Sequence, residues 1–145
     1  SPVPVGVQAG TVPSVQRGEY LADHVAACTG CHSAINMKSF TPVGPKGAGS
    51  AADPSHGGDT EMEFVAPNLT SHPVAGYSGR SSEDAFVTRI KSGRVFASSI
   101  MPWETFKNMT ENDLRSIYRY LRSLPPVEND LGPSYRKRGW QPSAE

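Results

Sequence analysis

A mainly α domain, three or more helices joined by long loops, is predicted by three features of the sequence. Residues 81–93 and 110–126 each carry a capping pattern, apolar residues at helical spacing and a clear stop. Glycine and proline together make up 27 of 145 residues, about 19%, against an average of roughly 12% in globular chains. The two cysteines fall in one element, Cys28-Thr29-Gly30-Cys31-His32, which gives the chain a single chemical focus for its helices to surround.

The bulk composition narrows the classes further. At this length one core is expected, and 37% hydrophobic residues are enough to build it. No apolar run is long enough for a transmembrane segment. With 14 basic and 14 acidic residues the charges cancel, so no nucleic-acid partner is expected: the chain lacks the broad positive field that a polyanion would require.

The elements follow in order. Residues 1–13 (SPVPVGVQAGTVP) are uncharged and rich in Pro, Val and Gly, an extended N-terminal tether. They contain neither a basic start nor an apolar core, so no export leader is expected within them. Ser14 caps a first helix that runs to the cysteine motif, with Leu21 and Val25 four apart on one face and Gly18 as a place of close approach. A long Gly-, Pro-, Ala- and Ser-rich loop covers 39–59. Residues 61–65 alternate as a short strand or extended segment, and Pro67-Asn68 and His72-Pro73 interrupt regular structure. Ser81, with Asp84 three residues on, caps a second helix through Phe86, Val87 and Ile90 to Gly93. Thr110 caps a third through Leu114, Ile117, Tyr118 and Leu121 to Pro125-Pro126, with Arg115, Arg119 and Arg122 on its exposed face. The tail 127–145, basic and aromatic, is expected to drape over the body or be disordered.

Two thiols three positions apart on a helical turn reach both vinyl groups of one haem, and the next residue, His32, offers an imidazole to the iron. A zinc site would want two more good ligands; a thioredoxin-like dithiol would want alternating strands and helices. One covalent haem c is therefore the expected cofactor, bound to Cys28 and Cys31, with His32 as axial metal ligand. For the sixth position Met101 is the best of four methionines: it follows the second helix in a non-helical stretch, and Pro102 fixes the backbone just beyond it. Met109 instead staples onto Leu114, Met62 faces the core, and Met37 lies too close behind His32 to reach the other face. His24, His56 and His72 read as surface or loop imidazoles. The haem carboxylates need partners, for which Asn68, Tyr77, Arg80, Arg94 and Trp103 are candidates; Trp103 fits equally as an aromatic closing the core.

With these residues in place the chain resembles the class I cytochrome c family. The nearer likeness is to the haem domains of cytochrome subunits of periplasmic dehydrogenases for alcohols, aldehydes and sugar acids. Arg17-Gly18-Glu19-Tyr20-Leu21, Ala66-Pro67-Asn68-Leu69-Thr70, Met101-Pro102-Trp103 and residues 109–126 carry it. The resemblance implies a monohaem cytochrome c fold over 14–126, with a late helix crossing the first, and His32 and Met101 as axial ligands. The chain departs from those subunits in the loop SAADPSHGGDTEMEF and in having one haem motif where they often have several.

The expected function is one-electron transfer by an exported, periplasmic carrier or cytochrome subunit, not an enzyme in itself. Its expected partners are redox proteins: a dehydrogenase, a bc1-type complex or a terminal oxidase or reductase, with association to a membrane complex allowed. The alternative is a haem sensor or enzyme whose sixth iron position is open or labile.

Overall fold

In a computed structural model of the protein, the described residues are 12–36, 38–50, 53–54 and 61–142. Most of the tether, Met37, His56 and part of the 39–59 loop lie outside them. The fold is helix-rich with a few short strands.

Ser14 starts the first helix: its hydroxyl accepts from the Arg17 N–H at 3.1 Å, and α1 runs Val15–Tyr20. The chain then widens into a π-helical turn, Leu21–Val25, in which the Ala26 N–H donates to the Leu21 carbonyl at 2.7 Å. This corrects the expectation of one shared face. Leu21 is 3% exposed but Val25 is 55% exposed, because the wider turn rotates Val25 away from the face that a 3.6-residue repeat assigns to it. Ala27, at φ 56°, then turns the chain into α2, Cys28–Cys31.

The core forms around the late helix, α6, Glu111–Ser123. Thr110 caps it by accepting from the Asp113 N–H at 3.2 Å. Leu114, Ile117 and Leu121 line its buried stripe and pack with Leu21, Leu69, Phe86 and Ile90. Gly18 lets α1 cross α6 at very short range, since a Cβ there would stand 1.9 Å from the Ser116 carbonyl oxygen. The Arg17 guanidinium locks the crossing by reaching both Asp113 carboxylate oxygens, at 3.1 and 3.2 Å.

The short helix α3, Tyr77–Arg80, precedes α4, Glu83–Lys91. The cap of α4 is Ser82 and not Ser81: the Ser82 hydroxyl accepts from the Ala85 N–H at 3.1 Å, while Ser81 donates to the Tyr77 carbonyl at 2.7 Å. Two adjacent serines divide two helix ends between them. The arginines of α6 are likewise engaged across the structure. Arg119 donates to Glu83 at 2.7 Å, Arg115 to Asp84 at 2.8 Å, and Arg122 to the Ser78 carbonyl at 2.7 Å. The face expected in solvent instead ties α6 to α3 and to the acidic first turn of α4.

Residues 61–65 do form a strand, β4, Met62–Phe64. Preceding it are the hairpin of β1, Ile35–Asn36, and β2, Thr41–Pro42, and the two-residue β3, Asp53–Pro54. After α5, Trp103–Phe106, and α6, the chain returns as β5, Tyr135–Lys137, to give an antiparallel sheet in the order β3-β4-β5. Arg136 on β5 pairs with Glu63 at 2.9 Å and lies over the Trp140 ring at 4.7 Å. Among the described residues, no helix is long and apolar enough to cross a membrane.

Candidate functional site

The cysteine motif occupies α2 and its C-terminal cap. Both thiols are free; Cys28 packs against the hydrophobic core and Cys31 is exposed. Burial pushes the Cys28 thiol up to about 11. A thioredoxin-type nucleophile needs the opposite shift, so this turn is poorly suited to thiol exchange. His32 caps the turn, its N–H donating to the Cys28 carbonyl at 2.9 Å. Its Nδ1 sits 2.9 Å from the Pro67 carbonyl oxygen. A carbonyl can only accept, so Nδ1 carries the proton and Nε2 keeps its lone pair. Burial holds the imidazole below its ordinary range, against the opposing pull of the Pro67 carbonyl, which keeps it neutral and able to ligate.

The loop after the motif is bonded into it. The Gly49 N–H donates to the His32 carbonyl at 2.8 Å, the Gly47 N–H to the Ser33 hydroxyl at 2.8 Å, and the Leu69 N–H to the Gly47 carbonyl at 2.7 Å. Gly49, at φ +92°, passes so near the Ala66 carbonyl and the Asn68 N–H that a Cβ would lie 3.0 and 3.1 Å from them. Residues 47–50 are thus a packed spacer between the motif and residues 66–69.

A second set of contacts supports the turn from beneath. Asp23, on the π-helical turn, accepts from the Thr29 hydroxyl at 2.6 Å, from Lys46 at 3.0 Å and from the Tyr120 hydroxyl at 3.0 Å. Burial pushes its carboxyl up, but the bonds from Thr29, Lys46 and Tyr120 prevail and hold it below the ordinary carboxylate range. A depressed carboxyl contributes stability that is present above its unfolded pKa and is lost as pH falls through the folded one. Urea midpoints of wild type and Asp23→Asn are expected to differ clearly at pH 7 and to converge below about pH 4. A constant difference down to pH 3 would refute this role for the charged form.

Met101 is half-buried and packs against the same core cluster as Cys28, Tyr77 and Trp103. Its carbonyl accepts from the Trp103 N–H at 2.8 Å and from Arg94 at 3.3 Å. Arg94 also donates to the Ser99 carbonyl at 2.5 Å and is held by both oxygens of Glu104, at 2.7 and 2.8 Å. The residue therefore sits in a loop cinched by one guanidinium. Trp103 donates to the Ser99 hydroxyl at 3.3 Å and carries the Arg89 guanidinium 3.9 Å above its ring. Tyr77 stacks edge-on against Phe86, with Arg80 over its ring.

Asn68 is placed differently from these. It is 2% exposed, and its amide donates to the Val127 and Asn129 carbonyls at 2.7 and 3.3 Å while accepting from the Thr70 N–H and hydroxyl. These bonds clamp the C-terminal segment onto the core. Met62 and Met109 are half-buried, on β4 and beside the core. His24 is exposed next to Tyr20, and His72 accepts from the Val74 and Ala75 N–H groups at 3.3 and 2.9 Å, closing a local turn. Sequence reasoning missed the Pro67 carbonyl, Asp23 and Glu104. The first is a backbone acceptor with no side-chain signature; Asp23 acts in part through the distant Lys46 and Tyr120, and Glu104 through Arg94 across an irregular loop.

The donor set suits a haem: two thiols on one turn, a neutral imidazole with one nitrogen spare, and a thioether on the same core. Large apolar residues close in sequence to this set are exposed, namely Val25, Ile35 and Phe40 around the motif and Val95 and Ile100 before Met101. Such side chains fit contact with a flat apolar macrocycle. Among the described residues no three His, Cys, Asp or Glu side chains cluster so as to hold a metal ion.

No family model matches the chain. Comparison with known proteins finds 36% identity over 134 residues with the cytochrome c subunit of a quinone alcohol dehydrogenase from Gluconacetobacter polyoxogenes, covering 85% of this chain and 27% of that protein. The chain is homologous to cytochrome c subunits. The corresponding subunit of Gluconobacter oxydans (strain 621H) is 34% identical over 126 residues, covering 79% of this chain and 25% of that protein. The fructose dehydrogenase cytochrome subunit of Gluconobacter japonicus is 27% identical over 117 residues, covering 80% and 22%. The chain spans about a quarter of the length of the relatives that it matches.

Proposed function

We propose that the chain is a monohaem cytochrome c domain that transfers single electrons outside the cytoplasm, as a carrier or as part of a cytochrome subunit serving a dehydrogenase. Cys28 and Cys31 would hold the haem covalently, and His32 and Met101 would ligate its iron. The observation that carries this reading is the His32 ring, directly after the two cysteines of α2: its Nδ1 is fixed on the Pro67 carbonyl at 2.9 Å, so its Nε2 keeps the lone pair for a metal. Bound at these residues, a haem supplies a one-electron Fe(III)/Fe(II) couple.

The chain's own residues would hold both ligating groups in place. Pro67 fixes the tautomer and orientation of His32, and Arg94 with Glu104 holds the backbone of Met101. Little rearrangement would then accompany each transfer. Homology to cytochrome subunits of alcohol and fructose dehydrogenases supports a dehydrogenase as donor. The contact is expected to be small and short-lived, as redox encounters are.

Mass measurement after denaturation tests the covalent attachment, and optical spectra of wild type and Met101→Ala test the ligand. The wild type is expected to show the methionine-to-ferric-iron band and to leave carbon monoxide unbound, and the variant to lose the band and bind the gas. Ready binding by the wild type would favour a sensor or enzyme with an open sixth position.

A further inference from the structure

Met101 lies near the end of a stretch without regular structure, 93–102, and one aromatic side chain in that stretch is fastened to a remote part of the chain. The Phe96 ring lies 4.4 Å from the Tyr135 ring at 30°, and 6.0 Å from Phe64, edge-on. Phe64 and Tyr135 are themselves 4.8 Å apart and are register partners on β4 and β5. The ribbon beneath them is tied by the Val65 N–H to the Ser134 carbonyl at 2.8 Å, the Arg138 N–H to the Glu61 carbonyl at 2.9 Å, and the Arg136–Glu63 pair at 2.9 Å. Beyond Phe96, the Ser99 N–H returns to the Phe96 carbonyl at 3.2 Å, and Ser99 also receives Arg94 and Trp103. A continuous set of contacts thus runs from β5 through Phe96 and Ser99 to the Met101 backbone.

Resting on the assignment of Met101 as axial ligand, we infer that the C-terminal strand β5 is a brace for the ligand loop, with Tyr135 and Phe64 as positioning residues that act on Met101 through Phe96. The geometry supplies a reason. Phe96 is 41% exposed, and a phenyl ring on an irregular loop has little else to restrain it; stacking on two rings of a bonded ribbon removes its freedom and that of the loop. The tail beyond α6 then governs how often the methionine leaves the iron.

The test uses the full haem-loaded chain and reads the ferric methionine band and the rate at which the ferrous protein binds carbon monoxide. Tyr135→Ala and Phe96→Ala are expected to weaken the band and raise the rate about tenfold, the size expected for loss of such an aromatic contact. Tyr135→Phe, which keeps the ring, is expected to leave both as in wild type. Asp113→Ala, which loosens the fold at the α1–α6 crossing away from the loop, is expected to do the same. Wild-type behaviour of the two alanine variants, with Met101→Ala losing the band, would overturn the brace and leave the ligand assignment standing. An equal rise in Asp113→Ala would overturn it as general loosening. Retention of the band in Met101→Ala would remove the ligand assignment, and the brace with it.

Discussion

Gly18→Ala is expected to cost about 3 kcal/mol or more of folding stability, enough to unfold a domain of this size near physiological temperature. The added Cβ would stand 1.9 Å from the Ser116 carbonyl oxygen, 2.6 Å from its carbon and 2.8 Å from the Tyr120 Cβ. None of these is the end of a flexible side chain. The α6 backbone cannot retreat without pulling Leu114, Ile117 and Leu121 out of the core, where they are 1–2% exposed. If α1 moves instead, it breaks the Arg17–Asp113 pair and the 3.0 Å bond from the Ser14 N–H to the Ser116 hydroxyl. Alanine's better helix propensity returns only about 1 kcal/mol. Urea or thermal unfolding of the haem-loaded protein measures the loss. Adding Ser116→Gly should not restore it, because the clash is with the carbonyl and not the side chain. A midpoint within experimental error of wild type would show that the crossing is looser than this.

How far such features can be read in advance depends on where their cause lies along the chain. Thr110 with Asp113, and Leu114 to Leu121 at helical spacing, specify α6 within one short segment, so its start and buried stripe were legible. Gly18 was legible as a close approach, but Ser116 as its neighbour was not, since it lies about a hundred residues on. Val25 misled because the π-helical turn breaks the repeat on which the face assignment depended. The three arginines of α6 looked solvent-bound because their partners, Glu83, Asp84 and the Ser78 carbonyl, come from other helices. β5 left little trace: Tyr135-Arg136-Lys137 has no apolar alternation, and its pairing comes from Glu63 and Phe64. For the candidate site, the Cys28–His32 motif announced itself, whereas what fixes its imidazole, the Pro67 carbonyl, had no side-chain signal.

Asn68 brings the same distinction to an experiment. In the sequence it stands as a donor for a haem carboxylate; in the fold its amide is committed to the chain itself. Its nitrogen donates to Val127 and Asn129, and its oxygen accepts from the Thr70 N–H at 2.9 Å and the Thr70 hydroxyl at 2.7 Å. The Thr70 hydroxyl oxygen in turn accepts from the Val127 N–H at 3.2 Å, and Thr70 is 0% exposed. Asn68→Ala strands the buried Thr70 N–H and Thr70 hydroxyl, and it removes one of two donors from the part-buried Val127 carbonyl, which keeps the Asn129 N–H at 3.0 Å. At about 1–3 kcal/mol for each buried group left unpaired, the expected loss is about 3 kcal/mol. Asn68→Asp is expected to be no milder, because a carboxylate can still accept from Thr70 but meets the Val127 carbonyl as oxygen against oxygen. A clamp predicts lower urea midpoints and faster proteolysis beyond residue 126 in both variants, while the spectrum of the loaded protein stays as in wild type. A haem contact predicts the reverse: a shifted reduction potential with stability nearly unchanged. The contacts favour the clamp, because both amide protons and the amide oxygen are already taken by partners within the chain.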